Sequence, residues 1–314
     1  MALKAELHLV LALVRLSWIA TVAMALLTPS VSTGAGAHLA VGDAAWARRA
    51  EGHDGLGHAH AEPVAEAVRA YALAAAEAPD DVQAHWKLVR ALYFSGEFAA
   101  LDDIESRALF DRGKAAAEAA VEALDRQIGA KGTLSRLDPN TMAEAVPLGL
   151  RADAARIHLW SAIAWGAWTR YQGLFAVVRA GVAERLYRSS LVVIALDPEL
   201  EHGAGHRLLA ALHTDLPWVP FFTPWVRRDQ ALVELARATE IAPGYPGNQL
   251  LLALTLLELE PQRRAEAIRL LEVVARSEPD PEETVEQLAM RQAARERLQQ
   301  HRDHQGTSSP EPRQ

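Results

Sequence analysis

Apolar residues recur along this chain at helical spacing, and one longer ruler recurs with them. A small or apolar residue is followed at +4 by a larger one, at +7 by another small or medium one, and at +12 by proline. Ala67, Tyr71, Ala74 and Pro79 fit it, as do Ala231, Leu235, Ala238 and Pro243, and again Ala267, Leu271, Val274 and Pro279. Leu186, Ser190, Val193 and Pro198 form a weaker fourth copy. The first three positions lie on one stripe of a helix, and the proline stops that helix and starts the next. Small residues on the stripe let two helices approach closely.

This is the second-helix half of a tetratricopeptide repeat. The first-helix half follows each proline. After Pro79, Asp81 is an N-cap, Trp86, Leu88, Leu92 and Tyr93 supply the apolar side, and Ser95-Gly96 is the turn. The run Asn248 to Glu258 plays the same part after Pro243. The repeats are uneven, and the longer interval, Pro198 to Pro243, holds a Pro217–Pro224 loop. Between the copies, Ile104 to Ile128 predicts one helix, ended by Gly129. Thr141-Met-Ala-Glu144 reads as a capping box opening another. Residues 150–196 predict two long helices with a break near Gln172-Gly173 or Gly181. A last helix starts at Pro281 and ends near Gln300. The expected fold is all-α, an irregular tetratricopeptide-like stack of antiparallel helical hairpins forming an α-α superhelix.

The first 37 residues depart from that pattern. Lys4 and Arg15 precede the apolar run Leu16–Leu27, followed by Pro29 and the small-x-small site Ala35-Gly36-Ala37. That is the order of a secretory signal. An uncleaved anchor is the alternative, because Leu7 to Leu27 is interrupted only by Arg15. Both readings export the bulk of the chain, either free in the periplasm or tethered to the inner membrane. Residues 38–300 then form one helical domain, and 301–314 a polar, disordered tail. The most apolar later stretch, Ile157 to Phe175, carries His158 and Arg170 in mid-run and does not span a membrane.

Composition narrows the chemistry. The 314 residues include no cysteine, and 32 basic against 40 acidic residues give a net charge of −8. The absence of cysteine excludes disulfides, zinc ribbons, iron–sulfur clusters, thiolate nucleophiles and lipidated cysteine anchors. The acidic balance argues against sequence-independent nucleic-acid binding, which needs Lys and Arg to neutralise phosphates.

Four stretches carry a resemblance to a known family. They are Gly42-Asp-Ala-Ala-Trp46-Ala-Arg-Arg49; the segment Tyr71 to Phe98 with Leu109-Phe-Asp-Arg-Gly113-Lys; Trp160-Ser-Ala-Ile-Ala-Trp165-Gly166-Ala-Trp168; and Gly203-Ala-Gly-His206-Arg207 with Ala231 to Pro243. Together they resemble the tetratricopeptide-like T-components of tripartite ATP-independent periplasmic (TRAP) transporters over roughly residues 40–300. The resemblance implies a periplasmic, non-enzymatic helical protein that associates with a solute-binding protein. Many members of that family are lipoproteins, an anchoring mode that a chain without cysteine cannot use.

Candidate chemistry is sparse. On a regular helix His202, His206 and His213 sit at about 0°, 40° and 20°, on a common face. The i, i+4 pair His202 and His206 has metal-ligand spacing, but His213 lies about 10 Å further along the axis. The plainer reading makes His206 and Arg207 interior polar residues of a packed helix pair. His53, His58 and His60 with Asp54 fall in a glycine-rich loop that imposes no geometry.

The aromatic residues say more. Trp160, Trp165, Trp168 and Tyr171 share one helix, and Trp218, Phe221, Phe222 and Trp225 share a loop stiffened by Pro217, Pro220 and Pro224. One reading makes the loop a plug and the tryptophans core; the other makes them an apolar cleft or docking surface. Arg207, Arg227 and Arg228 offer a subsite for an anionic ligand beside it, with a solvated charged face as the plainer reading. No Gly-x-Ser-x-Gly, phosphate loop or His-Glu-x-x-His is present, so no enzyme and no cofactor is implied. The expectation is a binding protein for a protein partner. The alternatives are a carrier of an apolar or acidic small molecule and a His-cluster metal binder.

Overall fold

A computed structural model describes residues 34–129 and 138–307. Among them run thirteen α-helices and no strand. In order they are α1 (Gly34–Ala47), α2 (Ala61–Glu77), α3 (Val82–Phe94), α4 (Asp103–Gln127), α5 (Pro139–Ala145), α6 (Arg151–Thr169) and α7 (Leu174–Arg179). There follow α8 (Val182–Leu196), α9 (Leu200–Asp215), α10 (Arg228–Ile241), α11 (Pro246–Leu259), α12 (Arg264–Arg276) and α13 (Thr284–Thr307). Successive helices pack pairwise from α1 to α4, then α6, α8 and onward to α13, while α5 and α7 are embellishments against α8. The chain is therefore an all-α tetratricopeptide-like superhelix.

The repeating ruler has a direct physical meaning. All nine stripe residues of the three strong copies are 0% exposed, so each copy presents one small–large–small strip to its neighbours. In the weaker copy Ser190 and Val193 are also fully buried, and Leu186 packs at the edge of the core. The prolines stand just beyond the ends of α2, α8, α10 and α12.

Local signals decide the helix ends. Asp81 caps α3 by accepting from the backbone N–H groups of Gln83 (2.9 Å) and Ala84 (3.3 Å). Ser95-Gly96 opens a π-helical turn, Ser95–Ala99, instead of a tight one. A Cβ on Gly96 would lie 2.5 Å from the Phe110 ring, so this position accepts only glycine. The capping box expected at Thr141 gives way to a simple N-cap at Asp138. Asp138 accepts from the Asn140 and Thr141 N–H groups, with Pro139 at the first helical position, where its missing N–H costs nothing. The single break expected near Gln172-Gly173 or Gly181 occurs at both places, with the short α7 between them, and Gly181 has φ +63°.

At the N-terminal end α1 begins at Gly34, so Ala35-Gly36-Ala37 lies in its first turn. The hydrophobic segment before it lies outside the described residues. None of the described helices is long and apolar enough to cross a membrane. At the other end α13 runs to Thr307, past the end expected near Gln300.

The stack also closes on itself. Arg49, in the turn after α1, donates through Nε to Glu286 Oε1 of α13 at 3.1 Å, with both side chains buried, and through Nη2 to the Glu282 carbonyl. Gly57, with φ +108°, rests against α13 so closely that a Cβ there would lie 2.6 Å from the Ala289 Cα. The glycine-rich loop is thereby fitted to the last helix.

Candidate functional site

The Pro217–Trp225 loop joins α9 to α10 and is held at its base. Thr223, itself buried, donates through Oγ1 to the Pro217 carbonyl at 2.6 Å and accepts from Val219 N–H at 3.0 Å. Trp225 stacks flat on Tyr187 of α8, with centroids 4.0 Å apart and planes 7° from parallel. Its Nε1 donates to Glu184 at 3.0 Å. Val226 is buried behind it, and the Arg227 N–H donates to His213 Nδ1 at 3.3 Å.

The tip does the reverse. Trp218 is 60% exposed, Phe222 62% and Phe221 98%. Phe221 also has φ +67°, a left-handed conformation that costs a bulky residue about 1–3 kcal/mol. The loop is not a plug: its base is packed and its tip projects three aromatic rings into solvent. Other exposed apolar residues, Leu174, Phe175 and Val178, lie on α7, which precedes α8 in the chain.

The other sequence candidates fall elsewhere. Trp160 and Trp165 are buried in the main core and Trp168 packs at its edge, meeting Trp165 edge-on at 5.5 Å. Glu184 and Arg185, consecutive on α8, separate the two aromatic groups. Glu184 holds Trp225, and Arg185 lies over the Trp165 ring at 4.8 Å. Trp160 and Trp165 are thus core residues, whereas Trp218, Phe221 and Phe222 of the loop stand in solvent.

The three histidines of α9 do not share a face. Glu201, His202 and Gly203 have φ of 52°, 61° and 81°, so the chain makes a left-handed turn before the regular part of α9 begins. His202 stacks on Tyr245 at 4.2 Å with Nε2 3.5 Å from Glu283. His206 Nδ1 is 2.6 Å from the buried Glu234 carboxylate. His213 faces Tyr187 and Trp225, and burial lowers its pKa. Among the described residues no three potential ligands converge to hold a metal ion. In the glycine-rich loop His58 pairs with Asp54 at 2.9 Å, and Asp54 also accepts the Leu56 and His58 N–H groups, so its oxygens serve the turn.

Arg207 has a structural task. It donates to the Glu201 carbonyl (2.7 Å), the His202 carbonyl (2.6 Å) and Asn248 Oδ1 (2.8 Å). Asn248, fully buried, donates to the carbonyls of His202, Ala238 and Ala242. Together they fasten the left-handed turn to the end of α10. Neither Asn248 nor the Tyr187–Glu184 pair that anchors the loop was visible in the sequence, because each acts across 41 residues without a local spacing to mark it.

No protein-family model and no curated protein sequence matches this chain. Two solved yeast structures are similar. The TPR2AB-domain:pHSP90 complex of Sti1 is 14% identical over 85% of this chain and 96% of that one, with a TM-score of 0.25. Tom70 is 14% identical over 98% of this chain and 75% of that one, also with a TM-score of 0.25. Such a score is too low to carry shape or function across. The tetratricopeptide-like architecture rests on the hairpin stack and its buried stripes.

Proposed function

We propose that this chain is an exported, non-enzymatic helical-repeat protein that docks a partner protein through the tip of the Pro217–Trp225 loop. The observation that carries this reading is the exposure of Trp218, Phe221 and Phe222 on a base pinned by Thr223 and Trp225. Aromatic anchors dominate interface energetics, and a rigid presentation lowers the ordering cost of binding. The compartment follows from the signal-like segment before residue 38. The resemblance to the TRAP T-components names the partner class as a periplasmic solute-binding protein, which makes this chain an accessory component of such a transporter.

The test is calorimetric titration of the purified protein with the solute-binding protein of a TRAP system from the same cell. Binding is expected in the wild type. Replacing Trp218, Phe221 and Phe222 together with serine should weaken it by about 2 kcal/mol or more while leaving helicity and melting unchanged. Equal affinity in the triple variant refutes the loop as the docking surface. No binding to the solute-binding protein refutes the transporter assignment.

A further inference from the structure

His213, in the last turn of α9, sits behind the base of the aromatic loop and is 5% exposed. Its Nδ1 accepts the Arg227 N–H at 3.3 Å, at the point where the loop gives way to α10. An imidazole nitrogen accepts only when it carries no proton, so the ring is neutral with its hydrogen on Nε2. The same ring meets Tyr187 at 6.4 Å and Trp225 at 6.0 Å, edge to face with each. It therefore lies against both members of the stack that anchors the loop.

A second proton on this ring is incompatible with that geometry. An imidazolium has two N–H groups and no acceptor, which sets Nδ1–H against Arg227 N–H, donor facing donor in a buried site. The charges around the ring do not make up for it. Arg227 opposes a cation, while Glu234 and Asp229 of α10 favour one. Glu234, however, is already engaged by His206 at 2.6 Å and by Arg237 at 2.9 Å. Asp229 lies 3.9 Å from Arg227, with both side chains exposed. Tyr187 of α8 brings no charge, since burial raises its pKa, and Asp215, two residues along α9, keeps its proton up to about 9. Burial is the largest influence on His213 and holds it below its ordinary 6.5.

We propose that His213 is an acid-sensitive latch on the docking loop, an inference that rests on the docking reading for its last step. Neutral, the ring holds the Trp225–Arg227 leg of the loop against α9 and α8. Protonated, it lets that leg go and the tip loses affinity for its partner. The two hydrogen bonds of Thr223 lie within the loop and involve no titrating group, so the tip keeps its turn and moves as a unit. What acid removes is the fixed position of the three exposed rings, and a mobile anchor costs more ordering on binding. The latch is closed at neutral pH and opens as pH falls through the folded pKa of His213.

The experiment is NMR of the full chain with isotope-labelled tryptophan and histidine, titrated from about pH 8 down to acid unfolding. Trp225 is assigned by the indole signal that Trp225→Phe removes. Its signal should shift together with the titration of the His213 ring. His213→Asn places a neutral oxygen where Nδ1 stood and should hold the Trp225 signal constant over the same range. His213→Phe keeps a ring without an acceptor and should show the acid form of the signal already at neutral pH. His206 is present in every variant, so its own titration cancels. With the solute-binding protein as probe, affinity should fall about tenfold on acidification relative to His213→Asn. A Trp225 signal that stays put while His213 titrates overturns the latch, as does the same shift in His213→Asn. So does a ring that stays neutral until the chain unfolds. A released Trp225 with no relative loss of affinity overturns the control of docking. Absence of binding at every pH counts against the docking reading instead, because the loop signals decide the latch on the free chain.

Discussion

Glu201 combines left-handed backbone, a buried carboxyl oxygen without a partner, and a pKa raised to about 8 from an ordinary 4.5. Burial is the largest cause; Glu283 adds to it, and Arg90, Arg156 and Arg207 oppose it. Because the folded pKa is the higher one, the folded chain retains a proton that the unfolded chain releases as pH rises. The stability linked to this proton is fully present below 4.5, declines through the window up to about 8, and is gone above it. Glu201→Gln removes that titration. Its urea midpoint relative to wild type should therefore rise between about pH 5 and pH 9, and a constant difference would show that the carboxyl does not titrate across folding. Asp215, raised to about 9 by burial and by Glu258, has the same sign and leaves a residual slope in the variant. His158 has the opposite sign. Burial lowers it from 6.5 to about 4, so its contribution is present above 6.5 and lost as pH falls towards 4.

At the scale of elements, what the sequence made legible is what depends on helical period. Ala238 is the third position of a ruler copy, is fully buried, and has its Cα 3.1 Å from where a Gly203 Cβ would stand. Small size at this position sets the approach of α9 to α10. Ala238→Leu should thus cost about 1–3 kcal/mol, seen as a lowered melting temperature with the helical spectrum retained. An unchanged melting temperature would mean that the stripe positions tolerate bulk. What depends on tertiary contacts stayed hidden. Residues 201–203 read as ordinary helix because Glu201 and His202 are not glycine. Their left-handed turn is held by Arg207 and Asn248, and no spacing in the sequence links those two. The start of α5 was a competition between two capable caps, Asp138 and Thr141, which the proline between them decided. The loop's aromatic content was plain from the sequence, but whether it faced in or out depended on Tyr187 and Glu184, which meet it only after folding.

The whole molecule is distinguished from an open solenoid by the buried pair Arg49–Glu286, which joins the turn after the first described helix to the last one across 237 residues. Each partner reads in the sequence as an ordinary charged helix residue. Burial raises the Glu286 pKa, and the Arg49 charge and hydrogen bond oppose that rise, so the carboxylate depends on its partner. Removing one partner strands a buried charge, and Arg49→Met should destabilise the chain by about 3–5 kcal/mol. Removing both strands none. The double variant Arg49→Met/Glu286→Leu should lose less than the sum of the single changes, with a coupling of about 0.5–3 kcal/mol from a urea double-mutant cycle. Hydrogen exchange should show where the loss falls. In Arg49→Met, amides of α1 and of the first turns of α13 should exchange faster, while those of α6 and α8 in the middle of the stack keep their protection. Additive single effects, or loss of protection spread evenly along the superhelix, would mean that the pair does not close the ring.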